Sequence, residues 1–207
     1  MRIAELSRRT GVPVPTIKYY LREGLLPAGE LTSPNQARYG EAHLHRLRLV
    51  RAMVETGGLS IAAVRDVLGV LDDPDKSLHK AMGTVTAAVA PPNLDDSDEV
   101  AREQVREFLE SRGWHCNPKS FAFKSLVSVL TTAREVGHHE FFRQLDTYAE
   151  VCLRLAEADL DYVLGAPNQD AALEGVVVGS VLGDAAVAAV RRLARRELSS
   201  RLTAPEC

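Results

Sequence analysis

Lys18, Tyr19 and Arg22 fall on one face of a short helical pattern together with Pro15, while Ile17, Tyr20 and Leu21, at i, i+3 and i+4, point the other way. A helix with an apolar back and a Lys-Tyr-Arg front carries the chemistry of a groove reader. Its cations can pair with guanine edges or phosphates, and its hydroxyls can hydrogen-bond the DNA backbone. Arg38 and Tyr39 offer the same groups at the end of a turn-rich stretch. Lys18, Tyr19 and Arg22 are therefore the candidates for a groove-facing surface. Tyr20 shares a face with Ile17 and Leu21, so it serves equally well as a core aromatic.

Other chemistries find little support. The chain has no phosphate-cradling glycine loop, no zinc-protease helix and no nucleophile elbow, so no catalytic residue is expected, nor a cofactor. Asp159-x-Asp161 and Asp95-Asp96-x-Asp98 read as a solvated helix face and a capping loop. Cys116, Cys152 and Cys207 are scattered and odd in number, which fits a reducing interior. His115-Cys116 and His138-His139 can converge, but no close-spaced ligand pair exists, so metal or thiol sensing is a minor alternative and no metal ligand is assigned. Aromatics gather in the middle of the chain. Trp114, Phe121, Phe142 and Tyr148, with Cys152 as a polar handle, can line a pocket for a small apolar or drug-like effector. Each of the three ring residues Phe121, Phe142 and Tyr148 has ordinary core packing as its alternative.

The charge distribution separates these two regions. The whole chain of 207 residues has a formal net charge of −3. Residues 1–70 carry 10 Lys/Arg against 6 Asp/Glu, and residues 71–207 carry 15 against 22. A head of +4 on a body of −7 places the polyanion-facing surface in the first third. The N-terminus alternates charged and apolar residues and lacks the apolar core of a secretion signal. No apolar run approaches the roughly 18 residues of a membrane span. The expectation is a cytoplasmic chain that does not cross a membrane.

The elements that position these residues are almost all helical. Ile3 and Leu6 share a face of a first helix ending near Thr10-Gly11. A second starts at Val12-Pro13-Val14-Pro15-Thr16, where proline suits a first turn, and closes at Gly24-Leu25-Leu26-Pro27. Residues 28–40, rich in turn formers, make a loop or short hairpin. A third helix runs from about Glu41 to Thr56, with Leu44, Leu47, Val50 and Val54 inwards. Gly57-Gly58 stops it, and Ser60 caps a fourth with the stripe Ile61, Val64, Leu68 and Leu71. A short helix spans about 76–89, and Ala90-Pro91-Pro92-Asn93 interrupts it. Ser97 is a cap for a helix to about Arg112, and Asn117-Pro118 for another to Val136. Helices over about Glu140–Leu164 and Asp170–Leu202 follow, the last with a break near Gly183-Asp184. The fold class is all-α, with a loop or short hairpin at 28–40 between a helical head and a multi-helix remainder.

Taken together, Ile3-Ala4-Glu5-Leu6-Ser7, Thr10-Gly11-Val12, Thr16-Ile17-Lys18-Tyr19-Tyr20, Glu23-Gly24-Leu25-Leu26-Pro27, Arg38-Tyr39, the Leu44–Leu49 stretch and Gly57-Gly58-Leu59-Ser60-Ile61 resemble the N-terminal domain of MerR family transcription regulators. The resemblance implies a winged helix-turn-helix head with a small β-hairpin wing, in a homodimer on a palindromic operator in double-stranded promoter DNA, with Thr16, Lys18, Tyr19, Tyr20, Arg22, Arg38 and Tyr39 as the candidate DNA-binding residues. It implies bending and untwisting of an overlong promoter spacer, so that RNA polymerase is engaged indirectly. An effector would bias the dimer between two DNA shapes. Lys18 stands where the family commonly has Arg, which favours a phosphate contact over a bidentate guanine contact.

The resemblance covers about residues 1–75, the expected DNA-binding domain. The family's long coiled-coil helix has only the short linker helix at 76–92 as its counterpart, so dimer contacts must come partly from residues 93–207, the expected effector-binding and dimerisation domain. Gly175, Gly179 and Gly183 recur every four residues and permit close helix approach, either to a second copy or within the monomer. Residues 98–200 also resemble, in helix count and terminal Gly/Ala-rich helix, the effector domain of TetR-type regulators. An alternative is a regulator of the same head whose C-terminal half only dimerises or binds a protein.

Overall fold

The computed structural model describes residues 1–33, 36–73, 75, 77–89 and 94–203. They form an almost wholly helical chain with one two-stranded antiparallel sheet. Two compact units divide it: Met1–Ser77 together with the chain from Val177, and Leu78–Val176.

In the first unit, α1 (Ile3–Thr10) and α2 (Val14–Arg22) meet at Gly11. Gly11 takes φ +72°, a left-handed conformation that other residues adopt only under strain, and its N–H donates to the Ser7 carbonyl at 2.8 Å. The turn is fixed twice more, by the Ser7 hydroxyl on the Val12 carbonyl at 2.6 Å and by the Thr10 hydroxyl, which accepts from the Val12 N–H at 3.3 Å. Pro15 sits in the first turn of α2, where its missing N–H costs nothing. Strands β1 (Glu30–Ser33) and β2 (Gln36–Arg38) make the wing, pairing Glu30 with Arg38 and Leu31 with Ala37. The wing's far end is pinned to the start of the chain: the Tyr39 N–H donates to the Met1 carbonyl at 2.8 Å, and the N-terminal ammonium donates to the Tyr39 carbonyl at 2.7 Å.

The expected third helix is α3 (Glu41–Arg51) continued as a π-helical turn, Ala52–Thr56. Ser60 caps α4 (Ile61–Leu71) as expected, its hydroxyl accepting from the Ala63 N–H at 3.2 Å. Leu6, Ile17, Leu25, Leu47, Val50, Met53, Val64 and Leu68 form the core of this head. It is joined by Val181, from a five-residue π segment, Gly179–Gly183, that links α9 (Gln169–Val178) to α10 (Asp184–Thr203). The interruption in the last helix thus starts at Gly179, four residues before the expected break, and widens the helix instead of ending it.

In the second unit, α5 (Leu78–Val89) precedes α6 (Glu99–Ser111) and α7 (Phe121–Glu135). The expected interruption at Ala90-Pro91-Pro92-Asn93 lies outside the described residues. Both expected caps move. Asp98, not Ser97, caps α6, its carboxylate accepting from Val100 and Ala101 N–H groups at 2.9 and 3.1 Å. Ser97 turns back to Asp95, and its two hydrogen bonds hold the Asp95 carboxyl below the usual range. Asn117-Pro118 form a preceding turn, and Ser120 caps α7. The expected helix at 140–164 opens as a 3₁₀ turn, His139–Arg143, before α8 (Gln144–Leu164). Ala101, Val105, Phe123, Val127, Leu130 and Leu145 make this unit's core.

One composition-based expectation is corrected. The helical stretch Gln169–Leu202 is long and apolar enough to cross a membrane by length and composition. Glycines and alanines between its larger apolar residues hid that length in the sequence. Leu173, Val176, Val177 and Val181 of this stretch are buried in the protein.

Candidate nucleic-acid interface

Helix α2 is held by the burial of Ile17 and Tyr20, which fixes which of its faces meets solvent. On the free face Lys18 and Arg22 are exposed, one turn apart, and Thr16 and Tyr19 are half-buried beside them. Arg38 is exposed on the wing. A polar groove of about 410 Å³ runs between the wing and the chain start, lined by Met1, Arg2, Thr32, Gln36, Ala37 and Arg38. Arg2 was missed in the sequence because its neighbours carry no pattern. The pairing of Met1 with Tyr39 brings it beside Arg38.

The ten cations of residues 1–70 divide cleanly. Arg8 pairs with Glu5, Arg9 with Glu41 at 2.5 Å, Arg46 with Asp72 at 2.5 Å, Arg51 with Glu55 at 2.7 Å, and Arg65 with Glu23 at 2.5 Å. Several of these clamp elements together: Arg46 also donates to the Leu25 carbonyl, Arg51 to the Thr10 carbonyl, and Arg65 to the Glu23 carbonyl. The hydrogen bond from Arg9, then its charge, lowers the Glu41 carboxyl below the usual range. Arg2, Lys18, Arg22, Arg38 and Arg48 have no ion pair among the described residues. The excess positive charge of the head therefore resides largely on α2, the wing and the chain start.

Two expected contact residues are corrected. Tyr20 and Tyr39 are each only 7% exposed. Tyr20 packs with the core, and burial, then Glu55 and Tyr19, push its hydroxyl above the usual tyrosine range. Tyr39 stands edge-on to His43, with ring centroids 5.3 Å apart, and anchors the wing. Both were read as interface residues because tyrosine suits either role.

The expected effector residues do not converge. Phe121, Phe142 and Cys152 are exposed, and Tyr148 packs against the second unit's core. Trp114 lines a sizeable groove with Phe108, His115, Cys116 and Phe123 among its other walls, and the other four are not part of that lining. Gly175 is buried, and a Cβ there would make ordinary contact, at 3.5 Å, with Tyr162 and Val163 of the same chain. A Cβ at Gly179 or Gly183 would meet nothing within 4 Å. Among the described residues no group of three or more His, Cys, Asp or Glu is placed to hold a metal ion.

Comparison with known proteins places this geometry. Residues 1–70 match the family model of MerR HTH family regulatory proteins. The mercuric resistance operon regulatory protein of Bacillus cereus is 37% identical over 71 residues, which are 34% of this chain and 53% of that protein. The HTH-type transcriptional regulator ZntR homolog of Haemophilus influenzae is 42% identical over 50 residues, 24% of this chain and 37% of its own length. The chain thus spans about half or less of these curated relatives. A crystal structure assigned to a transcriptional regulator, SCO5550 from Streptomyces coelicolor A3(2), matches throughout: 35% identity, all of both chains, TM-score 0.71. The likeness to TetR-type effector domains finds no support, having rested on helix count and a terminal Gly/Ala-rich helix, which many helical folds share. Through its first 70 residues the chain is similar to the MerR HTH family of regulatory proteins.

Proposed function

We propose that this chain is a transcription regulator that binds a palindromic operator in double-stranded promoter DNA as a homodimer. Lys18 and Arg22, with Thr16 and Tyr19, enter the major groove, while Arg38 and Arg2 hold phosphates beside it. The single observation that carries this reading is the segregation of cations in the head. Five are consumed by ion pairs, and of the other five, four lie on the α2 face, the wing and the chain start. A merely solvated face gives no reason for that partition.

The dimer presents two heads to two half-sites, and bending of the spacer between them sets whether polymerase engages the promoter. The acidic remainder of the chain is poorly suited to DNA and is assigned to the partner subunit and to a small apolar effector. Acting on promoter DNA, the protein works in the cytoplasm. The test is a gel shift with the promoter region of the protein's own gene. Lys18→Ala with Arg22→Ala should weaken binding by about tenfold or more, since each lost contact of this kind costs about 1–3 kcal/mol. Unchanged binding by the folded double variant contradicts the assignment.

A further inference from the structure

Within the second unit, the C-terminal end of α6, the turn that follows and the first half of α7 enclose a groove of about 540 Å³. That volume is in the range of small-molecule sites, roughly 300–1,000 Å³. Its walls are predominantly apolar: Val105, Phe108, Leu109, Trp114, Phe123 and Leu126. Phe108 and Trp114 stand edge to face, with centroids 6.0 Å apart at 83°. Trp114 remains 37% exposed, so a large amphipathic ring is left against an unfilled apolar hollow.

Polar character is confined to one part of the lining. Cys116 and the adjacent His115 are its polar side chains, and the Cys116 thiol lies 3.1 Å from the hydroxyl of Ser120, which is itself not part of the lining. No carboxylate, lysine or arginine lines the groove. Two aromatic walls already carry a guanidinium: Arg112 lies 5.1 Å from the Phe108 centroid and Arg102 lies 5.5 Å from that of Phe123. Those guanidiniums are themselves neutralised, by Asp146 at 2.6 Å and by Asp96 at 2.9 Å. An incoming cation would find these rings engaged and no counter-charge in the lining. An incoming anion would find no free cation there.

We propose that this groove binds an uncharged, mainly aromatic small molecule, with Phe108 and Trp114 as packing walls and Cys116 with His115 as its hydrogen-bonding end. Its regulatory purpose rests on the transcription-regulator reading above; the binding itself does not. Trp114 is the only tryptophan of the chain, which makes occupancy directly readable. The probe is N-phenyl-1-naphthylamine, a neutral aromatic amine that accepts energy from tryptophan.

On the full chain, saturable energy transfer from Trp114 is expected. Ala122→Phe, which fills the groove from an exposed position of its lining, should weaken it at least about tenfold. Phe121→Ala, whose side chain lies outside the groove, should leave it unchanged. Tetraphenylphosphonium, a lipophilic cation, should fail to displace the probe. Because Ala122→Phe can fail for reasons of folding, a second readout uses the unaltered chain. The probe should slow alkylation of Cys116 by iodoacetamide and spare that of Cys152, which is exposed and lies outside the groove. Absence of saturable transfer, displacement by the cation, or unslowed alkylation of Cys116 overturns the proposal. A gel shift on the same preparation keeps the two readings apart: loss of promoter binding with probe binding intact strikes the regulator reading alone.

Discussion

At the residue scale, a side chain's neighbours decided its role where its type left two open. Tyr20 and Tyr19 are adjacent and chemically identical, yet one is core and the other lies half-buried on the free face of α2. The difference is legible only as a face assignment against Ile17, because composition and motif treat the two alike. Their separation gives a pH prediction. The raised Tyr20 hydroxyl means that the folded head holds its proton more tightly than the unfolded chain does. Its contribution to stability is therefore complete below the ordinary tyrosine value of about 10 and is lost as pH rises through the folded-state value. Tyr20→Phe should flatten the alkaline fall in melting temperature while leaving operator affinity within about twofold. A large loss of affinity at neutral pH would return Tyr20 to the interface. The cations followed the same rule. Arg46 and Arg65 are removed from consideration by Asp72 and Glu23, distant in sequence, and Arg51 by the nearby Glu55 together with the distant Thr10 carbonyl.

At the element scale, periodicity located the helices of the head, while caps and interruptions proved harder to read. Ser60 was recognisable because a glycine pair precedes it and an apolar stripe follows. Ser60→Ala should cost about 1 kcal/mol in denaturant unfolding. Ser97 and Asp98 present two capping side chains in succession, and Asp98 takes the role with two short hydrogen bonds. Ser97→Ala should accordingly cost less than Asp98→Ala. The π turns at 52–56 and 179–183 have no signature in spacing, since they exist to fit packing between segments distant in sequence. Gly57 marks that fit. A Cβ there would stand 2.8 Å from the Met53 carbonyl oxygen and well inside contact with Val181. Gly57→Ala should destabilise the head by about 1–3 kcal/mol in urea unfolding. A neutral effect would show that this packing is not needed.

At the scale of the whole molecule, the sequence divided the chain by charge and motif, whereas the structure groups the chain from Val177 with the head. That grouping could not be seen from one sequence, because it depends on Val181 meeting an element more than a hundred residues earlier. The same absence of long-range information scattered the expected effector residues: Phe121 and Phe142 share a composition with Phe108 and Phe123, but only the latter pair lines the groove. For the dimer, Gly179 is the discriminating position, since a Cβ there meets nothing within 4 Å in its own chain. Gly179→Leu should leave the monomer folded and shift sedimentation towards monomers if that face meets a second copy. An intact dimer would place the contact elsewhere.

The central claim is that the free cations of α2 meet DNA phosphates and base edges. Its most direct measurement is the salt dependence of operator affinity, followed by fluorescence anisotropy on a duplex from the promoter of the protein's own gene. The logarithm of the binding constant should fall linearly with the logarithm of salt concentration. In the Lys18→Ala, Arg22→Ala variant the slope should be shallower by about 1 to 2, one unit for each phosphate contact removed. An unchanged slope and unchanged affinity in that variant would contradict the account, because the cations singled out by the fold would then contribute nothing to the interface.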